Sequence, residues 1–286
     1  SIKPSTIERK IKTIKSLVKH GLDLNDADAV VSFINICEWA SGTKDIAVDS
    51  YRDYLDMLGL TNVKLPHIRR EETYPFIPLE KELDSLIAST RIKMSTFLQL
   101  LKEGALRPIE AWMLKWNDID TPNRNVTVTP AKYSKPRRFR ISEQLLNKLL
   151  ALPRNNEYVF SPSGNREVFY KEMEHFSRNF TKQRKRISIK LQNPRLQQIS
   201  LKTFRHWKAT MEYVYTKDIV HIKELLGHIN INNTLKYIHL ANAIANNEDS
   251  FICKIAKDTQ EASGLIETGF EYVTTFEGLM LFRKRK

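Results

Sequence analysis

Cysteine is almost missing from this sequence: Cys37 and Cys253 are the only two among 286 residues. Two thiols cannot build a disulfide framework or a cysteine-type zinc centre, so a reducing, cytoplasmic setting is expected. Glycine (9) and proline (11) are scarce and 41 % of residues are hydrophobic, which excludes a disordered chain and supplies material for a core. No run approaches the roughly 18 uncharged apolar residues of a membrane span, and no signal-peptide hydrophobic region is present. The sequence also lacks a GxxxxGK[ST] phosphate cradle, an HExxH metal pair, a cysteine and histidine cluster with ligand spacing, and a GxSxG elbow. Nucleotide hydrolysis, zinc chemistry and serine hydrolase chemistry therefore have no visible machinery. Acid is the last shortage. Lys+Arg number 46 against 33 Asp+Glu, a formal net charge of +13, which points to a polyanionic partner such as nucleic acid or an anionic membrane surface.

What is present is mostly helical. Ser5-x-x-Glu8 reads as a capping box ahead of Ile7, Ile11, Ile14, Leu17 and Val18, with Arg9, Lys10, Lys12, Lys15 and Lys19 on the opposite side and Gly21 as the stop. Two more helices are predicted, from Asp26 to Trp39 and from about Lys44 to Leu58. Pro66, Pro75 and Pro78 around a charged run make residues 64–78 a linker, because proline lacks the N–H that a helix or ladder needs. A longer segment, residues 79–243, then mixes helices near 79–89, 92–102, 108–115, 142–151, 166–190, 203–215, 218–226 and 231–240 with one pair of strands. Those strands are Asn125–Thr129, which alternates β-branched residues, and Arg138–Ile141 across a basic turn. The tail, residues 244–286, offers a helix near 258–267 and a hairpin of Phe270–Thr275 with Leu279–Phe282. The expected fold class is mainly α with a small β-sheet: a helical domain over 1–63 and an α+β domain over 79–243.

Four short stretches hold the chemistry-bearing residues. They are Gly104-Ala-Leu-Arg107-Pro-Ile-Glu110, the basic turn with Lys132 and Lys135, Lys202-Thr-Phe-Arg205-His206-Trp207, and Leu225-Leu-Gly-His228 followed nine residues on by Tyr237. Each has an ordinary explanation by itself. Arg107 before Pro108 fits a helix start, Lys132 a solvated turn, Leu-Leu-Gly-His a helix C-cap, and Tyr237 a half-buried core tyrosine. Trp112, Trp116 and Trp207 read as core.

In order and spacing the four stretches resemble the tyrosine recombinases, the lambda-integrase and Xer family, whose pattern is Arg, hairpin Lys, His-x-x-Arg, Leu-Gly-His, then Tyr. The motif resemblance covers residues 80–240; residues 1–65 match by architecture alone, which makes 1–63 a helical core-binding domain that clamps DNA. Position 202 departs from the pattern, because Lys202 stands where the family usually has histidine. Lysine can still donate to a phosphate oxygen, but it is a poor proton shuttle at neutral pH, and its role stays open. The tail's Gly269-Phe-Glu-Tyr-Val and terminal Phe282-Arg-Lys-Arg-Lys are similar to the ends of archaeal viral and plasmid integrases.

The resemblance implies transesterification without a cofactor. Tyr237 would attack the phosphorus, form a 3′-phosphotyrosine and release a 5′-hydroxyl, keeping the phosphodiester energy in a covalent bond. Arg107 and Arg205 would grip the non-bridging oxygens through their guanidinium forks. With Lys202 also cationic, no Mg²⁺ is needed to neutralise the site. Lys132 would protonate the leaving oxygen, with Lys135 as fallback. His228 would bond a non-bridging oxygen and could accept the tyrosine proton, and Glu110 would orient Arg107. The phenol is expected to stand poised on the phosphorus. Lys135, Arg137, Arg138, Arg184, Lys185 and Arg186, in two basic runs, are candidate contacts to double-stranded DNA.

The expected activity is site-specific recombination, integration or excision, by several protomers, four in a synaptic assembly. Two alternatives share these residues: a type IB topoisomerase-like nicking-closing enzyme, and a catalytically inactive DNA-binding protein of the same fold.

Overall fold

A computed structural model describes residues 4–60, 62–69, 73–131, 134–165, 167–245, 251–276 and 278–285. The chain forms two compact units, residues 1–73 and 74–286. In the first, α1 (Pro4–Lys19), α2 (Ala27–Ile36) and α3 (Ser41–Met57) surround a core of Leu17, Val30, Ile34, Val48, Tyr51 and Leu55. The first helix starts at Pro4, so Ser5 lies inside it and is not its cap; proline suits a first turn whose N–H groups have no helical partner. The Asp26 side chain caps α2 by accepting from Ala29 N at 3.0 Å. Lys10, expected on a solvated face, is instead drawn onto α3 by Asp49 and Asp53 at 2.9 and 2.6 Å.

The second unit is built on α4 (Glu80–Ala88), α5 (Ile92–Gly104) and α6 (Pro108–Trp112). A three-stranded antiparallel sheet follows, β1 (Ile119–Asp120), β2 (Asn125–Val128) and β3 (Arg137–Arg140), in the order β1-β2-β3. Then come α7 (Glu143–Leu150), α8 (Phe169–Lys190), α9 (Leu201–Thr216), α10 (Ile219–Leu226) and α11 (Asn232–Ala245). The core runs through Leu83, Phe97, Leu101, Trp112, Val126, Leu145, Phe160, Phe180, Phe204 and Trp207, so Trp112 and Trp207 are indeed packed inside. Gly104 ends α5 against the sheet. A Cβ there would lie 2.2 Å from the Phe139 ring, so a larger residue at 104 would have to displace that ring. Among the described residues no helix is long and apolar enough to cross a membrane.

The tail holds one strand more than its sequence pattern suggests. Beside α12 (Thr259–Glu267) and the hairpin β5 (Glu271–Phe276) and β6 (Leu279–Arg285), the segment Phe251–Ala256 forms β4 and pairs antiparallel with β6, Cys253 opposite Arg283. The hairpin β5–β6 is thus the outer half of a sheet ordered β4-β6-β5. Over the described residues the protein is mainly helical with two small antiparallel sheets.

Candidate active site

The chemistry-bearing residues gather where four elements end. Arg107 is the residue just ahead of α6, in an extended conformation, and Glu110 three residues on folds back to accept its backbone N–H at 2.9 Å. The same carboxylate accepts Arg107 Nη1 at 2.8 Å and Arg137 Nη2 at 2.6 Å, and Arg205 Nη1 lies 3.9 Å away. The Glu110 side chain has no exposed surface. Burial alone would raise its carboxyl group's pKa, but the bonds and charge of Arg137 and Arg107 outweigh that and hold it below the usual carboxylate range. Three guanidinium groups therefore share one carboxylate. The cluster is short of negative charge, and Arg137 Nε and Nη1, both buried, have no partner among the described residues.

Arg205 reaches this cluster from α9. Its Nη1 donates to Ala105 O, and its Nη2 donates to Leu226 O at 2.8 Å. Ala105 terminates α5 in the left-handed region at φ +48°, which turns that carbonyl toward the guanidinium. Burial and the nearby positive charges of Arg107 and Arg137 push the Arg205 pKa down to about 9. A guanidinium under that strain is stabilised by any anion that arrives.

Gly227 ends α10 at φ +65°, and the His228 N–H turns back to Lys223 O at 2.9 Å, so Leu-Leu-Gly-His is a helix C-cap as well as a site element. The carbonyl of Gly227 accepts Ser134 Oγ at 2.7 Å and Lys135 N at 3.0 Å, which clips the basic turn onto the site. Arg107 Nη1 in turn donates to Ser134 Oγ at 3.0 Å. No side chain fits at 227, because a Cβ would stand 2.8 Å from Lys135 O.

His228 faces Arg205 Nη2 through Nε2 at 3.2 Å and Thr234 Oγ1 through Nδ1 at 2.9 Å. A guanidinium only donates, so Nε2 accepts and the proton sits on Nδ1. Burial, then Arg205 and Arg107, push the His228 pKa down to about 4. The ring is neutral at pH 7, and its expected bond to a phosphate oxygen needs a further proton on Nε2.

Tyr237 is where the sequence-based expectation fails. It lies on α11, 1 % exposed, in an apolar cluster with Ala105, Ala209, Ile222, Leu226 and Leu240. Its hydroxyl meets His206 Nδ1 at 3.0 Å, and among the described residues no hydrogen bond joins it to Arg107, Arg205 or His228. The phenol is parked in packing and does not stand free over the anion cradle. Burial pushes its pKa up to about 12 against the pull of Arg205 and Arg107. His206, neighbour of Arg205 on α9, was not singled out by motif reasoning; its place directly after the arginine was the available signal.

Two candidate DNA contacts are also corrected. The Arg137 side chain is 7 % exposed and bound to Glu110, so it belongs to the cradle and not to the solvent-facing basic run. Arg184 is half-buried, donates to Ile199 O and packs over the Phe180 ring, tying α8 to the segment before α9. Lys135, Arg138, Lys185 and Arg186 are exposed, with Arg138 paired to Asp120. Lys202 is exposed at the start of α9. Lys132 lies outside the described residues.

Residues 79–243, more than half of the chain, match the phage integrase family. A tyrosine recombinase of Thermosipho africanus (strain TCF52B) is 26 % identical over 208 residues, covering 68 % of this chain and 69 % of that protein. The ICEBs1 integrase of Bacillus subtilis (strain 168) is 26 % identical over 247 residues, covering 79 % of this chain and 64 % of that integrase, so the chain spans about two thirds of the length of either. In fold, the chain is similar to the Tn1549 transposon integrase in complex with transposon right end DNA, with a TM-score of 0.63 at 15 % identity over 87 % of this chain and 95 % of that one. It is also similar to the XerH site-specific recombinase bound to its palindromic difH substrate, with a TM-score of 0.52 at 18 % identity over 85 % and 72 %. With Arg107, Arg205, His228 and Tyr237 all inside the matched segment, the chain belongs to the phage integrase family, the tyrosine recombinases of site-specific DNA recombination.

Proposed function

We propose that the chain integrates and excises DNA by two transesterifications through a 3′-phosphotyrosine on Tyr237. The observation that carries this reading is the cradle itself: Arg107 and Arg205, with the buried Arg137 behind them, around the single carboxylate of Glu110, with surplus positive charge. An arriving phosphodiester supplies the missing anion. Guanidinium forks match its non-bridging oxygens and bind the five-coordinate phosphorane more tightly than the ground state, because more charge gathers on those oxygens there.

The phenol must leave its apolar slot to attack, which requires α11 to shift. A resting enzyme with a buried, protonated nucleophile does not cut DNA at random, and bound DNA repays the displacement through its phosphate contacts. Lys132 is the reading's general acid for the 5′-oxygen, and Lys202 and His228 are phosphate contacts. Residues 1–63 serve as the DNA-clamping core-binding domain, 64–78 as linker, 79–243 as catalytic domain and 244–286 as a tail. Four protomers form the synaptic assembly on double-stranded DNA. The tail's sequence supports an archaeal viral or plasmid origin.

A nicked suicide duplex tests the core of this reading. Wild-type protein should trap a covalent adduct at a 3′-phosphate and Tyr237→Phe should trap none; an undiminished adduct in the variant removes Tyr237 from the chemistry. Lys132→Ala should recover with a 5′-bridging sulfur, which leaves without a proton, and recovery of Lys135→Ala in its place would transfer the role.

A further inference from the structure

We propose that His206 is the general base for the nucleophile, taking the Tyr237 phenol proton on Nδ1 as the oxygen attacks phosphorus. The inference rests on the reading of Tyr237 as nucleophile and assigns its proton transfer to a residue other than His228, the acceptor the sequence offers.

Three candidates could receive the proton, and the geometry separates them. Both ring nitrogens of His228 are engaged, Nε2 by Arg205 and Nδ1 by Thr234, so its only acceptor lone pair points at a guanidinium. Lys202 is exposed, and an ammonium group has no lone pair to offer. Among the described residues His206 is the one that hydrogen-bonds the phenol oxygen at rest, with Nδ1 3.0 Å away and inside the reach required of a general base, and the proposal requires this bond to persist through the shift of α11. The two rings are tilted 37° to each other, with centroids 6.0 Å apart, so they meet through this edge contact and not by stacking.

The surroundings keep that lone pair available. Burial, reinforced by the charges of Lys236, Arg205 and Lys202, pushes the His206 pKa down to about 4, so the ring is neutral at neutral pH, and the proposal takes the tautomer with its proton on Nε2 and the Nδ1 lone pair toward the phenol. The same cations oppose the imidazolium until a phosphate brings negative charge, which confines proton transfer to the DNA-bound state. Because Arg205 and His206 are consecutive residues of α9, the anion grip and the base sit on one rigid element.

The step balances. The phenol O–H bond breaks and its proton passes to Nδ1; the phenol oxygen forms the new bond to phosphorus. The P–O5′ bond breaks, and the leaving oxygen takes a proton from the general acid, Lys132 in the reading above. In religation the imidazolium returns its proton to the departing phenolate.

The test compares wild type, His206→Ala, His206→Gln and Tyr237→Phe in single-turnover adduct formation on the suicide duplex, with DNA affinity measured in parallel. Glutamine can keep a hydrogen bond to the phenol but cannot take its proton. Both His206 variants should lose about 10²–10⁴ in rate with DNA affinity unchanged. Imidazole added to His206→Ala should restore part of the rate, which also shows that the variant is folded. Adduct formation by His206→Gln at the wild-type rate would overturn the proposal, leaving only a positioning bond. A faster His206→Ala would overturn it too, making His206 a latch. Persistence of the adduct in Tyr237→Phe would instead strike the underlying assignment of the nucleophile.

Discussion

Replacing Glu110 by glutamine tests the charge economy of the cradle most directly. The substitution keeps shape and volume but removes the one anion shared by three guanidinium groups, bonded at 2.8 Å to Arg107 and 2.6 Å to Arg137 and 3.9 Å from Arg205. Removing one partner of a buried ion pair typically costs about 3–5 kcal/mol, because the other charge is left uncompensated. For a unit of this size each kcal/mol moves the midpoint by about 2–4 °C, so Glu110→Gln should melt roughly 6–20 °C below wild type. Sulfate should narrow the gap, since a ligand at a hundred times its dissociation constant stabilises by about 2.7 kcal/mol and the variant cradle is the hungrier for an anion. Acid should narrow it as well. The Glu110 carboxyl is held below its ordinary range, so its contribution is present above the unfolded-state value and disappears as pH falls through the folded one. The assay is thermal melting of both proteins across pH, with and without sulfate. An unchanged midpoint for Glu110→Gln at neutral pH would refute the reasoning, because the guanidinium groups would then not depend on this carboxylate.

Three further outcomes are expected. Arg137→Ala should destabilise the protein by about 3–5 kcal/mol in urea melts; if the melts are unchanged and only the salt slope of DNA binding falls, Arg137 is a solvent-side phosphate contact after all. Gly227→Ala forces a side chain into the left-handed region, which costs about 1–2 kcal/mol before any clash with Lys135 O, and should also slow adduct formation by dislodging the basic turn and His228; wild-type melting and cleavage would show that the turn is not clipped there. His206 and His228 should both titrate near pH 4 by NMR, so stability should decline as pH falls from 6.5 toward 4, where the unfolded chain takes up protons that the folded one refuses; a midpoint at or above 6.5 for either would contradict the burial of that ring.

Local patterns were legible wherever the determining physics is local. The helical periods, the Leu-Leu-Gly-His cap and the Pro108 helix start are set by residues a few positions apart, and each lies within a few residues of its expected place. β4 was not legible. Phe251–Ala256 is short and apolar, and what makes it a strand is pairing with β6 about thirty residues later. The same holds inside the site: Glu110 was read as a partner of Arg107, its neighbour in sequence, whereas its shortest bond is to Arg137, brought in by the register of β3 against β2.

By itself the sequence determined the kinds of chemistry available: cationic forks, a glycine-capped histidine and a phenol, in an order that few folds would share. Tertiary structure alone decided which of those charges are buried, which carboxylate three arginines divide among themselves, and that the resting phenol faces His206. Burial and charge pairing depend on side chains arriving from distant segments, and a residue's dielectric surroundings are not a property of its neighbours along the chain.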